Sequence, residues 1–221
     1  MFSLEEITKI YNDKVKLPES YFKKYEIMPE CPVKSYNYNW GHYDFPRSCC
    51  ILDFIEWIEK HNIKIDHLGY TCDTDPELEF IEPSKKTLLS YPQYDLHTLP
   101  FSNEFDFFLF NQTIEHLYNP FEAIKQIYET VKPGGYVFTS VPTLNIPHST
   151  PIHFNGFNPM GLAMLFKTAN FEIIEIGQWG NFEYISKLWQ THNWPGYINL
   201  NKVTNEERNV CQCWILAKKL N

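Results

Sequence analysis

A chain of 221 residues that is 43% hydrophobic and 17% aromatic carries enough apolar material for one sizeable core, and its length favours a single domain. Its formal net charge is −8, with 19 Lys and Arg dispersed among 27 Asp and Glu, which argues against a nucleic-acid partner because little is available to neutralise phosphates. No run of about 18 apolar residues exists to span a bilayer, and Met1 to Glu6 offers neither a basic segment nor an apolar one, so a soluble cytoplasmic protein without a secretory leader is expected.

In chain order, residues 1–48 are rich in Tyr, Asn, Pro and Lys. Apart from a short amphipathic start at Leu4, Ile7 and Ile10 they lack periodicity, which predicts an irregular arm with one helix. Ile51, Phe54, Ile55 and Ile58 then recur at helical spacing opposite Asp53, Glu56 and Glu59, a surface helix. Ile63 to Tyr70 reads as a strand and Asp73-Thr74-Asp75-Pro76 as a turn. Leu78 to Glu82 and Thr87 to Tyr91 both look strand-like across Pro83-Ser84-Lys85-Lys86. The short gap predicts a hairpin, since a parallel pair needs a crossover of about a dozen residues.

From Pro100 the signals sharpen. Phe105 to Phe110 is the near-continuous apolar run of a strand buried on both faces. Asn119-Pro120 starts a helix that Gly134-Gly135 ends, and Tyr136 to Val141 follows as a strand. Asn158-Pro159 starts another helix, with Asn170 at its left-handed end, before strands at Phe171 to Gly177 and Val210 to Ala217. Cys211 and Cys213 are expected as core-facing strand thiols. This alternation predicts a layered α/β fold.

Four segments then carry a resemblance. They are Asp95 to Phe101, Phe105 to Phe108 running on to Glu115-His116-Leu117-Tyr118-Asn119-Pro120, Val131-Lys132-Pro133-Gly134-Gly135-Tyr136, and Gly161-Leu162 with Asn170-Phe171-Glu172. In this order they resemble the C-terminal two thirds of a class I S-adenosylmethionine-dependent methyltransferase of the broad small-molecule type. The resemblance implies a Rossmann-like sheet flanked by helices, mostly parallel with an antiparallel last strand and a reduced N-terminal half. It divides the chain into an arm, 1–48, and a methyltransferase-like domain, 49–221, with an aromatic-rich insertion at 178–209. The departure from the family is the glycine-rich cofactor loop: the candidate first strand ends Leu68-Gly69-Tyr70-Thr71-Cys72-Asp73, with one glycine. An alternative first strand at Cys50 to Phe54 has none and conflicts with the helical periodicity.

The resemblance implies S-adenosylmethionine as cofactor. Gly69 and Tyr70 would lie at the cofactor loop, Glu82 on the ribose, Asp95 and Leu96 at the adenine, and Asn111 and Gln112 beside the methionine part. A base for the acceptor's proton is sought among His116, His148 and His153, the last two in a Pro-rich loop after a strand. The spacing of His148, His153 and Glu115 has no zinc pattern, so no metal is expected. Two hypotheses remain: a methyltransferase acting on a small-molecule or glycan-like acceptor, or a catalytically inactive methyltransferase-like protein kept for binding or assembly. The aromatic insertion, with Trp179, Trp189 and Trp194, suits a lid, a substrate contact or a homo-oligomer contact.

Overall fold

The structure is a computed structural model that describes residues 2–27, 29–33, 41–149 and 151–221; residues 34–40 of the expected arm and Thr150 of the Pro-rich loop lie outside them. Ser3 opens α1 (Leu4–Ile10) with a capping box, its hydroxyl accepting from the Glu6 amide while the Glu6 carboxylate accepts from the Ser3 amide. A π-helical turn (Tyr11–Val15) and a short α2 (Glu19–Phe22) follow, so the described part of the arm holds more helix than the single one expected. No residue of α1 is buried. The arm is held where Val15, with Ile10 and Leu17, packs on the core and by polar bonds to one buried carboxylate. Tyr21 donates to Asp53 at 2.6 Å and accepts from the Gln178 amide at 3.0 Å, and Tyr25, Lys24 and the Trp214 indole also bond to Asp53.

The helix expected from Ile51 is α3 (Phe45–Lys60), which begins earlier than its apolar spacing suggested, with Pro46 in its first turn; it is largely buried and not a surface helix, and Asp53, expected on the polar outer face, is fully buried. It contains the segment Cys50 to Phe54, which removes the alternative first strand. The strands are β1 (His67–Tyr70), β2 (Lys85–Leu88), β3 (Phe105–Leu109), β4 (Val131–Pro142), β5 (Glu172–Trp179) and β6 (Gln212–Lys218), and they form one sheet in the order β2-β1-β3-β4-β6-β5. The first four pair in parallel, while β6 is antiparallel to both β4 and β5.

Asn119 and Asn158 cap α4 (Pro120–Thr130) and α5 (Pro159–Thr168), each accepting an amide with its side-chain oxygen and each followed by proline. Asn170 adopts the left-handed conformation, φ 69°, as its place after α5 predicts. Both faces of the sheet are covered. Phe105, Phe108 and Phe110 pack with residues of α4 and α5 on one side. Phe107, Leu109, Phe138 and Trp214 pack with α3 and with Leu188 of α6 (Phe182–Thr191) on the other.

The hairpin expected between Leu78 and Tyr91 is not formed. Residues 76–80 make a single 3-10 turn, and β2 lies parallel to β1 with His67 opposite Lys85. The length for a parallel crossover was there all along, in residues 71–84: Leu78 to Glu82 belongs to the connection and is not a strand. The reduced N-terminal half is therefore a crossover whose helix has shrunk to one turn.

Candidate functional site

Parallel strands put their carboxyl ends on one edge of the sheet, and ligands of open α/β folds bind outside that edge. A cleft of about 1000 Å3 opens there. The loop after β1 contributes Thr71, Cys72, Thr74 and Asp75; the loop after β2 contributes Tyr91, Asp95, Leu96 and His97; the segment after β3 contributes Asn111, Gln112, His116 and Tyr118. The walls are mainly apolar and aromatic with a few converging polar groups, the usual make-up of a small-molecule site.

Its polar floor is a connected network. Arg47, from the first turn of α3, donates two bonds to Glu77, one at 2.6 Å, and lies 3.6 Å from Asp75. The Arg47 and Glu77 side chains are 5% and 0% exposed. The Asn111 amide donates to Asp75 at 3.3 Å; its oxygen accepts from Ser140 at 3.1 Å, and Ser140 in turn accepts from Gln112 at 3.0 Å. Burial, with the Glu77 carboxylate alongside, pushes the Asp75 carboxyl well above the ordinary range against the pull of Arg47 and Asn111. On the opposite wall the His97 ring stacks on Tyr118 at 4.2 Å between centroids. Asp95 accepts from the His97 amide at 2.9 Å and contacts its Nδ1 at 2.6 Å, and the amide bond leads the causes that hold its carboxyl below the usual value.

Residues 45–176 match the profile of a family described as a methyltransferase domain. The chain belongs to this family. No curated protein matches it in sequence. Among solved structures, a methyltransferase dependent on S-adenosylmethionine from Thermotoga maritima superposes with a TM-score of 0.52 at 17% identity, covering 76% of this chain and 89% of that one. A phosphoethanolamine N-methyltransferase of Haemonchus contortus in complex with S-adenosyl-L-methionine gives 0.51 at 15% identity, over 76% of this chain and 53% of that one. A cyclase gives 0.52 at 16% identity, over 83% of this chain and 85% of that one. The fold is thus that of class I S-adenosylmethionine-dependent methyltransferases, and it also carries an enzyme named for another reaction.

Against that family frame, Asp95, Leu96, Asn111, Gln112 and His116 line one cleft. Gly69, Tyr70 and Glu82 do not. Gly69 lacks a Cβ for packing: one there would stand 3.0 Å from both the Phe105 and Phe108 rings. Glu82 precedes β2 and so sits at the amino end of that strand, away from the cleft edge. His148 and His153 stand beside His116, with ring centroids 5.0 and 5.8 Å from it, and burial holds both of their ring pKa values below the usual one.

Sequence reasoning missed Arg47, Asp75, Glu77 and the His97–Tyr118 stack. A signal for the first existed: an arginine followed by Cys49, Cys50 and Ile51 at the start of an apolar helix must be buried, and a buried guanidinium needs acidic partners.

Proposed function

We propose that the chain is an S-adenosylmethionine-dependent methyltransferase acting on a small-molecule or glycan-like acceptor. The observation that carries this reading is the convergence of Asp95, Leu96, Asn111 and Gln112 on one cleft at the carboxyl edge of a methyltransferase sheet. The residues present suit the cofactor's chemistry. Leu89 and Leu96 offer apolar faces for an adenine, with Asp95 as acceptor for its exocyclic amine, while Asp75 and the Asn111 and Gln112 amides suit a charged amino-acid end. When bound, the cofactor supplies an electrophilic sulfonium methyl group. The protein's part is to orient the two molecules and exclude water. The histidines at 116, 148 and 153 stand together at one side of the cleft and suit the acceptor end.

A second reading, a binding or assembly protein without transfer, is favoured by the loop after β1. Thr71 to Asp75 place side chains where a glycine loop would let backbone approach the cofactor. Calorimetric titration with S-adenosylmethionine and S-adenosylhomocysteine tests the choice. Micromolar binding by the wild type, weakened about tenfold in Asp95→Ala by loss of a charged acceptor, is the expected result. No heat at millimolar ligand would overturn the methyltransferase reading and leave the second.

A further inference from the structure

Three histidines converge at the edge of the cleft from two loops. His116 ends a 3-10 turn (Ile114–His116) after β3, and His148 and His153 belong to the loop after β4. The His148 and His153 centroids are 4.6 Å apart, and one ring nitrogen from each of the three lies within 4.8 Å of the others.

Backbone contacts set the tautomer of two of the rings. His116 Nδ1 contacts the Ile152 carbonyl at 2.7 Å and His148 Nδ1 contacts that of Ile146 at 3.2 Å. A carbonyl can only accept, so each contact places the proton on Nδ1 and leaves Nε2 as a lone pair. Such second contacts fix the tautomer and tilt of metal-binding imidazoles. The His153 Nδ1 faces His148 Nδ1 at 3.2 Å.

A second observation points to a cation. Glu115 is 0% exposed, and neither carboxylate oxygen has a hydrogen-bond partner among the described residues. Its Oε1 lies 3.9 Å from His116 Nε2. A fully buried carboxyl group with no hydrogen-bond partner is an orphaned polar group that calls for one.

We propose that His116, His148 and His153 bind one divalent transition-metal ion of the zinc, cobalt or nickel class, with the buried Glu115 carboxyl group beside it. Metal–nitrogen bonds of about 2.0–2.1 Å in a tetrahedral site bring ligand nitrogens to about 3.3 Å from one another, a closure that small side-chain rotations supply. Three imidazoles favour these metals over magnesium or calcium, which take oxygen ligands. Ligation commits the lone pairs to the ion in place of the proton transfer expected of these rings. The expectation of no metal rested on spacing along the chain, which cannot show that His116, at the end of β3, meets two histidines of the loop after β4. Because His116 lines the cleft, with Ile152 and Phe154 of the same loop as His153, the ion stands at the edge of whatever molecule binds there.

The test uses the full chain, stripped with a chelator and titrated with cobalt(II) while its visible spectrum is followed. Expected are one ion per chain at micromolar affinity or tighter, ligand-field bands without a thiolate charge-transfer band, and no displacement by millimolar magnesium. His148→Ala and His153→Ala should each weaken binding at least about tenfold and together abolish it, whereas His61→Ala, outside the cluster, should not. Circular dichroism checks the fold of each variant, and His153→Gln decides the matter where an alanine variant fails to fold. No cobalt binding by the wild type, a thiolate band, displacement by magnesium, or binding that survives the double variant would overturn the proposal. None of these outcomes depends on S-adenosylmethionine binding, so this inference and the methyltransferase reading fail separately.

Discussion

Replacing Arg47 with Met keeps the aliphatic stem that packs at the start of α3 and removes the guanidinium. Glu77, 0% exposed and bonded twice to Arg47, is then left in an apolar surround without a counter-charge, and it must take up a proton. That requirement sets the magnitude. Protonating a carboxylate whose solution pKa is about 4.3 costs about 1.36 kcal/mol per pH unit above that value, or about 4 kcal/mol at pH 7 and about 1 kcal/mol at pH 5. The lost hydrogen bonds add about 1–2 kcal/mol at both pH values. Urea unfolding followed by tryptophan fluorescence should therefore show Arg47→Met losing about 3 kcal/mol more at pH 7 than at pH 5, a large share of the roughly 5–15 kcal/mol of a typical domain. The double variant Arg47→Met with Glu77→Leu should lose most of that pH dependence, since no buried carboxylate is left at position 77. An equal loss at the two pH values, or a loss under about 1 kcal/mol at pH 7, would show that the pair is not buried as described and would refute the reasoning.

Two further outcomes follow from the same region. The folded-state pKa of Asp75 is raised to about 7, mainly by burial, so between about pH 4 and pH 7 the native state holds a proton that the unfolded chain has released, and stability falls as pH rises through that window. Asp75→Asn should thus gain on the wild type between pH 5 and pH 8 by on the order of 1–3 kcal/mol; parallel stability profiles in urea would count against it. Gly69→Ala should cost about 1–3 kcal/mol, because its Cβ would meet Phe105 and Phe108 at 3.0 Å, while leaving ligand affinity within about twofold by calorimetry. A tenfold affinity loss at unchanged stability would instead make Gly69 part of the ligand cradle.

The second half of the fold was legible because its signals are local. Asn119-Pro120 and Asn158-Pro159 carry their own caps, Asn170 its own left-handed turn, and the run Phe105 to Leu109 its burial on both faces. The first half was not, because β2 (Lys85–Leu88) is exposed at three of its four positions and sits at the sheet edge. An edge strand of that kind has neither the apolar run nor the alternation that marks a buried one, so the apolar stretch Leu78 to Glu82 drew the strand assignment that belonged to its neighbour.

The cleft divides in the same way. Asp95, Leu96, Asn111 and Gln112 follow strands and could be read from motif order, whereas Arg47 reaches the site from a helix that precedes the sheet, and its partners Asp75 and Glu77 lie in a connection that resembles no ordered element. Their placement bears on the missing glycines. A glycine loop serves by presenting bare backbone to a ligand, but a loop with side chains can serve only if those side chains are held out of the way or turned to use. Here Arg47 draws Glu77 fully into the protein and stands 3.6 Å from Asp75, while Asn111 bonds the other Asp75 oxygen. The crossover is thus pinned from behind by the helix ahead of β1, leaving Thr71, Cys72 and Thr74 along the cleft. If that pinning replaces the rigidity that tight glycine turns provide, then Arg47→Met should weaken ligand binding at pH 5, where its folding cost is smaller, as well as at pH 7. Affinity retained at pH 5 would instead make the network a matter of stability alone.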